Sequence, residues 1–229
     1  MTTPLDLQTY TLKIINILYT GKSQFLIHRS HINLTKYGNN LVKKNKLNQS
    51  KILEIGSGNG ELFKHVNKKF SSYQMTDISS WGAEEIRKLI IQDERITFET
   101  ADVEKLQYEN DYFDRILLTC VMAHLTEPFK AAEELRRVTK TSGLISIFVT
   151  ADPSVLLRII RKIFVSNKMK KLGIPYKLWT SIEHRNNPMS LIEIIKYVFK
   201  DDVIKIKYYP FRLKSWNLST HIVIHIIKQ

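Results

Sequence analysis

The 229-residue chain has few cysteines and no long apolar run. It contains one cysteine, Cys120, which rules out an internal disulfide and is typical of a protein in a reducing compartment. Lys, Arg or Glu interrupts every apolar run well before the length that crosses a bilayer, so we expect no transmembrane helix. The first residues lack a basic segment followed by an apolar one, so we expect no signal peptide and a cytoplasmic location.

Acidic residues are also few relative to basic ones. The chain has 35 Lys and Arg against 22 Asp and Glu, a formal net charge of +13. Such a charge indicates an anionic partner, which could be nucleic acid, a phosphorylated substrate or a membrane surface. The alternative is a compositional bias, because the basic residues are mostly spread along the chain. Composition leaves both interpretations open.

Strand and helix patterns alternate between residues 51 and 149. The strands are predicted at 52–55, 73–76, 96–99, 113–119 and 144–149, and the helices at 61–70, 81–91 and 127–138. Ser80 and Thr126 are the expected caps of the second and third helices. Such alternation predicts a parallel sheet with crossover helices on both faces, whose ligands bind at the carboxyl ends of the strands.

The two flanks of this core have different patterns. Residues 1–45 are predicted to form an N-terminal helical cap, with two helices over 5–37 broken near Gly21, and residues 46–229 the main domain. An insert at about 151–200 should cover the substrate together with the cap. Its predicted parts are a helix over 153–171 capped by Asp152, a loop over 176–185 and a helix over 190–200 capped by Ser190, followed by strands at 203–209 and 221–227.

The most informative segment is Lys51–Gly60, which reads KILEIGSGNG. Glycines at 56, 58 and 60 remove side chains where the backbone turns sharply or approaches a ligand. Dehydrogenases need G-x-G-x-x-G, whereas here Glu61 takes the place of the last glycine. The carboxylate of Glu54 beside the turn would disfavour a pyrophosphate and suits an ammonium group.

This segment, followed by Asp77 after the second strand and Asp102 after the third, resembles the cofactor loop of class I S-adenosylmethionine-dependent methyltransferases, close to the methyltransferase type 11 group. The runs 112–128 and 135–145 resemble the same family, except that Thr141-Ser142 stands where Pro-Gly is common. The resemblance covers about residues 50 to 150. It implies a Rossmann-like, doubly wound α/β fold with a mostly parallel seven-stranded sheet and helices on both faces, plus N-terminal helices and a helical insert after strand 5.

The resemblance also implies roles for individual residues in binding S-adenosylmethionine. Asp77 would accept hydrogen bonds from the ribose hydroxyls, and Asp102 from the adenine amino group, unless Asp102 only caps a helix. The residues from Thr119 to His124 would lie beside the methionine part. The complete predicted cofactor set is Glu54, Gly56, Ser57, Gly58, Gly60, Asp77, Ile78, Asp102, Val103, Thr119, His124 and Arg29.

For catalysis, His184 is the preferred general base, with the adjacent Glu183 orienting it; the alternative is a solvated loop histidine. His31 is the second candidate. We expect His221 and His225 to lie on a strand face away from the chemistry. No group of His, Asp and Glu has the spacing typical of a metal site, so no metal is expected.

The predicted reaction is methyl transfer to a small molecule, first of all to a hydroxyl of a sugar or of a polysaccharide or secondary-metabolite precursor. The alternatives are an N-methyltransferase of a small amine, an RNA methyltransferase, and a non-catalytic cofactor-binding regulatory protein. A basic stripe between Arg158 and Lys171 fits an anionic or phosphorylated acceptor, a peripheral membrane contact or a solvated face. Nucleic acid is less favoured, because no recognisable nucleic-acid-binding module is present.

Overall fold

The structure is a computed structural model, and it describes residues 10, 11, 13, 14 and 24–229. Its centre is a seven-stranded sheet in the order β3-β2-β1-β4-β5-β7-β6. The strands are β1 Lys51–Ile55, β2 Ser72–Asp77, β3 Ile96–Thr100, β4 Phe113–Thr119, β5 Thr139–Thr150, β6 Val203–Pro210 and β7 Ser219–Ile227. Strands β1 to β5 pair in parallel, and β7 is antiparallel to both of its neighbours. The predicted fold class, a mostly parallel seven-stranded sheet, is confirmed.

Helices cover both faces of this sheet. They are α1 Gln24–Lys44, α2 Ala83–Gln92, α3 Pro128–Val138, α4 Val155–Phe164, α5 Ser166–Lys171, α6 Tyr176–Glu183 and α7 Pro188–Val198, with short 3₁₀ helices at Glu61–His65 and Val103–Lys105. In the part of the chain that the structure describes, no helix combines the length and the apolar character needed to cross a bilayer.

One face of the sheet is mainly apolar along β1, β4, β5 and β7. Alternate residues of the central strands, such as Leu53, Ile116 and Ile145, are buried against Leu135 of α3 and Leu191 of α7. Their removal from water contributes about 25 cal/mol per Å² of apolar surface. This burial packs α3 and α7 onto the sheet.

The opposite face, beneath α1, contains buried polar groups. Arg115 of β4 is fully buried, and its Nη1 donates to Asn39 Oδ1 of α1 at 2.7 Å. Ser146 Oγ lies 2.9 Å from His225 Nδ1 on the neighbouring strand. Burial lowers the pKa of Arg115 to about 10 and that of His225 to about 3. The bond from Arg115 ties α1 to the sheet. His225 lies buried on β7, and its predicted distance from the chemistry stays a prediction.

Several predicted boundaries were wrong. The helix expected over 61–70 is a single 3₁₀ segment, because the backbone becomes extended at Val66. The helix expected over 153–171 breaks at Val165, where the Ser166 hydroxyl donates to the Arg161 carbonyl at 3.1 Å. Helix α1 continues to Lys44, through a stretch expected to be a connection, and β5 begins at 139 rather than 144.

The region expected to be a loop over 176–185 is mostly helix α6. Pro175 precedes its first turn, and Trp179 and Thr180 are buried. Trp179 packs in a small cluster with Ile14, and its Nε1 donates to Thr11 Oγ1 at 2.9 Å. The N-terminal segment therefore contacts the insert. Most of the first predicted N-terminal helix, including Gly21, lies outside the described residues.

The helix caps also differ from those predicted. Ser154 caps α4, accepting from Leu157 N, and Asn187 caps α7, accepting from Met189 N and Ser190 N. Gly82 and Glu127 stand at the cap positions of α2 and α3, in place of the expected Ser80 and Thr126. Asp152, the expected cap of α4, is thereby available for another role.

Candidate active site

The glycine loop between β1 and the first 3₁₀ helix is held on the end of β2. The amides of Gly56 and Ser57 both donate to the Thr76 carbonyl, at 2.9 and 3.0 Å. Gly56 has φ +70°, and a Cβ atom there would lie 2.2 Å from Val121 Cγ2. A side chain at this position would both strain the backbone and clash with the β4 end. The loop therefore brings bare backbone to the carboxyl edge of the sheet.

A cavity of about 450 Å³ lies at this edge, between the ends of β1, β2, β3 and β4. We call it the cofactor cavity. Eight of the predicted cofactor residues line it: Gly56, Gly58, Asp77, Ile78, Asp102, Val103, Thr119 and His124. They converge because the carboxyl ends of neighbouring parallel strands meet at one edge.

The charged side chains of the cofactor cavity are acidic. Among its described lining residues, Asp77, Asp102 and Glu104 are charged, and there is no Lys or Arg. Asp77 Oδ2 accepts from Gly58 N at 3.0 Å, and Asp102 Oδ1 accepts from Glu104 N at 2.9 Å, so Asp102 caps a 3₁₀ helix while lining the cavity. Ile78 adds an apolar surface, with 70% of its area exposed. This cavity suits a cationic, hydroxyl-bearing ligand with an apolar part.

The acidic residue of the glycine motif does not line the cavity. Glu54 is fully buried, and its Oε2 accepts from the Tyr73 hydroxyl at 2.6 Å, while Oε1 has no hydrogen-bond partner among the described residues. Burial raises the pKa of Glu54 to about 7, despite the hydrogen bond from Tyr73. Ser57 and Gly60 lie beside the cavity's lining rather than in it. Cofactor contacts by these three residues stay predictions.

Two predicted residues of α1 also lie away from the cavities. His31 is buried, with its ring 6.2 Å from that of His65. Burial, with the neighbouring His65, lowers the pKa of His31 to about 4, so the ring is neutral at physiological pH. Arg29 is exposed on the same helix. Neither lines a cavity described here, and their predicted roles in catalysis and cofactor binding stay predictions.

A second cavity, of about 1040 Å³, lies between α4, α5, α6 and the turn before α7. We call it the basic pocket. Six cationic residues line it: Arg158, Arg161, Lys162, Lys170, Lys177 and Arg185. Asp152 is the one acidic residue among its described lining. The pocket therefore presents a positive potential to whatever enters it.

Asp152 forms a pair with His184 on the wall of the basic pocket. Its Oδ2 lies 2.7 Å from His184 Nδ1 and accepts from Arg161 Nη1 at 2.5 Å. Burial alone would raise the pKa of Asp152, but the bonds from His184 and Arg161 outweigh it and hold the pKa below its usual value. An ionised Asp152 fixes the His184 ring and leaves Nε2 for a reacting group.

This pair differs from the predicted one. Glu183, expected to orient His184, lies instead beside His124, with Oε2 3.6 Å from Nδ1. The His184 side chain is only 9% exposed, so it is not a solvated loop histidine. The sequence suggested Asp152 only as a helix cap, because no spacing rule connects it to a residue 32 positions away.

The two cavities meet at a pair of histidine rings. His124 of the cofactor cavity and His184 of the basic pocket are perpendicular, with centroids 4.9 Å apart. One ring nitrogen of His124, one ring nitrogen of His184 and Cys120 Sγ all lie within 4.8 Å of one another. Two imidazoles and a thiolate can bind zinc, so the expectation of no metal needs a direct test.

Comparison with known proteins identifies the central part of the chain. Residues 53–147 match the family described as "Methyltransferase domain". A demethylmenaquinone methyltransferase of Clavibacter sepedonicus is 29% identical over 107 residues, which are 47% of this chain and 44% of that protein. A ubiquinone/menaquinone biosynthesis C-methyltransferase of Coxiella burnetii is 28% identical over 111 residues, 46% and 44% of the two chains. The match thus spans less than half of these relatives.

Solved structures extend the likeness of the fold to the whole chain. A putative S-adenosyl-L-methionine-dependent methyltransferase of Methanococcus maripaludis has a TM-score of 0.62 and 18% identity, covering 100% of this chain and 96% of its own. The CurJ carbon methyltransferase has a TM-score of 0.64 and 15% identity, covering 94% and 58%. At these identities the similarity concerns the fold alone.

Proposed function

Because residues 53–147 belong to the class I S-adenosylmethionine-dependent methyltransferases, we propose that the protein methylates a hydroxyl of a small, negatively charged molecule. Our first candidates are a sugar and a polysaccharide or secondary-metabolite precursor that carries phosphate or carboxylate. The observation that carries the proposal is the His184–Asp152 pair, which stands where the acidic cofactor cavity meets the basic pocket. The single thiol of Cys120 is in keeping with a cytoplasmic location.

The residues of the cofactor cavity fit S-adenosylmethionine. Asp77 would hold the ribose, Asp102 the adenine edge, and Ile78 and Val103 the faces of the ring. The bare backbone at Gly56 leaves the space that a bulky nucleoside needs. When bound, this cofactor supplies a methyl group on a positively charged sulfur, and the acidic lining complements that charge.

The chain's own contribution is to position the acceptor and take its proton. Cations of the basic pocket would bind the acceptor's anionic group and orient its hydroxyl. His184 Nε2 would accept the hydroxyl proton, while Asp152 stabilises the resulting imidazolium. Buried Trp179 and partly buried Tyr176, stacked with centroids 5.8 Å apart, form an apolar backing that limits water.

A carbon acceptor is the second candidate, because the Coxiella relative is named a C-methyltransferase. Carbon acidified by a neighbouring group also gains from a base. An amine acceptor would need only to arrive neutral, so it makes less use of the His184–Asp152 pair. Binding without turnover, a further alternative, would leave the pair without a role.

The test is methyl transfer from labelled S-adenosylmethionine to a panel of phosphorylated sugars, hydroxy acids, amines and RNA. We expect His184→Ala to lower kcat by about 10²- to 10⁴-fold and to leave the dissociation constant of the cofactor unchanged. His28→Ala, at an exposed histidine of α1 outside both cavities, is the matched control. Equal turnover by wild type and His184→Ala would remove His184 as the base.

Chelation decides between a base and a metal ligand at His184, since Nε2 cannot serve as both. As a base, His184 supports full activity after dialysis against 1,10-phenanthroline. Activity that is lost on chelation and restored by Zn²⁺ would instead make Cys120, His124 and His184 ligands of a metal. Metal analysis of the purified protein gives an independent readout.

A further inference from the structure

Helix α4 presents an apolar stripe to the outside. None of its ten side chains is buried. Val155, Ile159 and Ile163 follow one another at i, i+4 and i+8, so they share one face, and they are 42%, 51% and 62% exposed. Phe164 next to them is 59% exposed. A helix that belonged only to the protein core would turn this stripe inward.

The loop between β6 and β7 shows the same combination. Phe211, Leu213 and Leu218 are 61%, 55% and 47% exposed. Arg212 and Lys214 alternate with the first two and are exposed as well. Within the described residues, these hydrophobic side chains stay exposed between the cations at the tip of the loop. An exposed hydrophobic patch of this kind is typical of a surface that binds a partner or a membrane.

These two elements lie side by side. Leu156 N at the start of α4 donates to the Asn217 carbonyl of the loop at 3.2 Å. Ser154 Oγ, at the cap of α4, donates to the Ser219 carbonyl at 2.6 Å. The start of α4 is therefore joined to the end of the loop, and we treat the stripe of α4 and the loop tip together as one surface, which we call the α4–loop surface.

The charge of the α4–loop surface has one sign. Residues 154–171 contain six Lys and Arg, and neither this segment nor residues 211–220 contains Asp or Glu. We propose that the α4–loop surface docks on an anionic phospholipid bilayer, with the apolar side chains entering the interface and the cations meeting the headgroups. Amphipathic helices with basic residues beside an apolar face bind membranes in this way.

This placement has a consequence for the basic pocket. Arg158 and Lys162 of α4 line the pocket and are exposed, so the pocket borders the α4–loop surface. An acceptor with an anionic headgroup could then enter directly from the bilayer. The docking itself does not depend on the proposed reaction, because it rests on residues outside the His184–Asp152 pair.

The test is sedimentation of the full chain with vesicles. We expect binding to vesicles of equal parts phosphatidylcholine and phosphatidylglycerol to be at least about tenfold tighter than to phosphatidylcholine alone. The double variants Ile159→Asn/Ile163→Asn and Phe211→Ser/Leu213→Ser should each weaken it about tenfold. Arg212→Gln/Lys214→Gln should weaken it and reduce its salt dependence.

Matched controls are Ile91→Asn and Lys88→Gln on α2, where Ile91 is 85% exposed and Lys88 is exposed too. Thermal unfolding and cofactor affinity of every variant report on its fold. Because the helix and loop variants change different elements, weaker binding by both would not come from local unfolding of one element. The proposal is overturned if the wild type does not bind anionic vesicles. It is also overturned if both apolar variants bind them as tightly as the wild type does, because binding would then be electrostatic adsorption alone. Dimerisation that the apolar variants abolish, without vesicle binding, would assign the surface to a second copy.

Discussion

The two cavities that meet at His124 and His184 carry opposite charges. Among the described residues, three acids line the cofactor cavity, whereas six cations and one acid line the basic pocket. The first lies at the ends of adjacent strands, and the second lies among helices of the insert. This difference supports our proposal that each cavity selects its ligand by charge, a cation in one and an anion in the other.

The acids of the two regions also differ in their surroundings. Asp152 of the basic pocket is paired with His184 and Arg161, and its pKa is held down. Glu54 beneath the glycine loop has the Tyr73 hydroxyl as its partner, and burial raises its pKa to about 7. A buried carboxylate stays charged where cations surround it and tends to be neutral where they do not. Asp152, which faces the basic pocket, and Glu54, which lies in the interior, therefore differ in the direction of their pKa shifts.

The largest effect should come from removing the acid that organises the cofactor cavity. Asp77→Ala removes the acceptor of Gly58 N and the proposed acceptor of the ribose hydroxyls. We therefore expect cofactor affinity to fall about a thousandfold, from two charge-assisted bonds to the ribose of about 2 kcal/mol each. Calorimetry measures this change. Lys88→Gln on the surface is the control, and unchanged affinity in Asp77→Ala would remove Asp77 from the site.

Glu54 should make stability depend on pH in a direction opposite to most acids. Its pKa is raised in the folded state, so the folded protein binds the extra proton between about pH 4.5 and 7. The resulting stability is fully present below the unfolded pKa and is lost as the pH rises through 7, at about 1.4 kcal/mol per pH unit. Urea unfolding of wild type and Glu54→Gln should therefore show curves that diverge across this range.

The paired acid provides the comparison for that experiment. Asp152 has a lowered pKa, so its contribution is present above the unfolded value and is lost only as the pH falls through the folded one. Asp152→Asn should consequently destabilise the protein by a nearly constant amount between pH 5 and 8. A Glu54→Gln difference that is equally flat would show that Glu54 is already ionised in the folded state.

The smallest effect should come from removing two of the positive charges that line the basic pocket. Lys177→Gln/Arg185→Gln should raise KM for an anionic acceptor about three- to tenfold, with kcat and cofactor affinity little changed, since exposed ion pairs contribute below about 1 kcal/mol each. The increase should shrink at high salt. A KM that stays the same for charged and neutral acceptors alike would mean that the pocket does not select by charge.

The elements closest to the glycine motif were the easiest to predict. Short-range patterns predict the five parallel strands, the glycines at 56 and 58, and the two acids. Asp77 is the last residue of β2 and Asp102 follows β3 by two residues, so each acid stands at the carboxyl end of a strand that the sequence predicts. Glu54 was predicted to contact the cofactor by the same logic, and this contact stays a prediction. The structure shows its side chain in the interior, where Oε2 accepts from the Tyr73 hydroxyl, because alternate residues of a strand point to opposite faces of the sheet.

The insert was harder to predict, because its local signals were weak or misleading. Aromatic residues around Trp179 were interpreted as a loop, but they form α6, whose stability comes from packing against Ile14. Asp152 looked like a cap, yet Ser154 takes that role. Contacts between residues distant in sequence decided both outcomes, and no residue spacing encodes such contacts.

The sequence by itself determined the sheet, the glycine loop and the acids at the strand ends, because short apolar runs and turn residues act over a few positions. Tertiary structure alone decided that Asp152 meets His184, that His184 meets His124, and that six scattered cations surround one pocket. These contacts depend on how the helices pack, and helix packing is stabilised by many small apolar contacts spread over the whole chain.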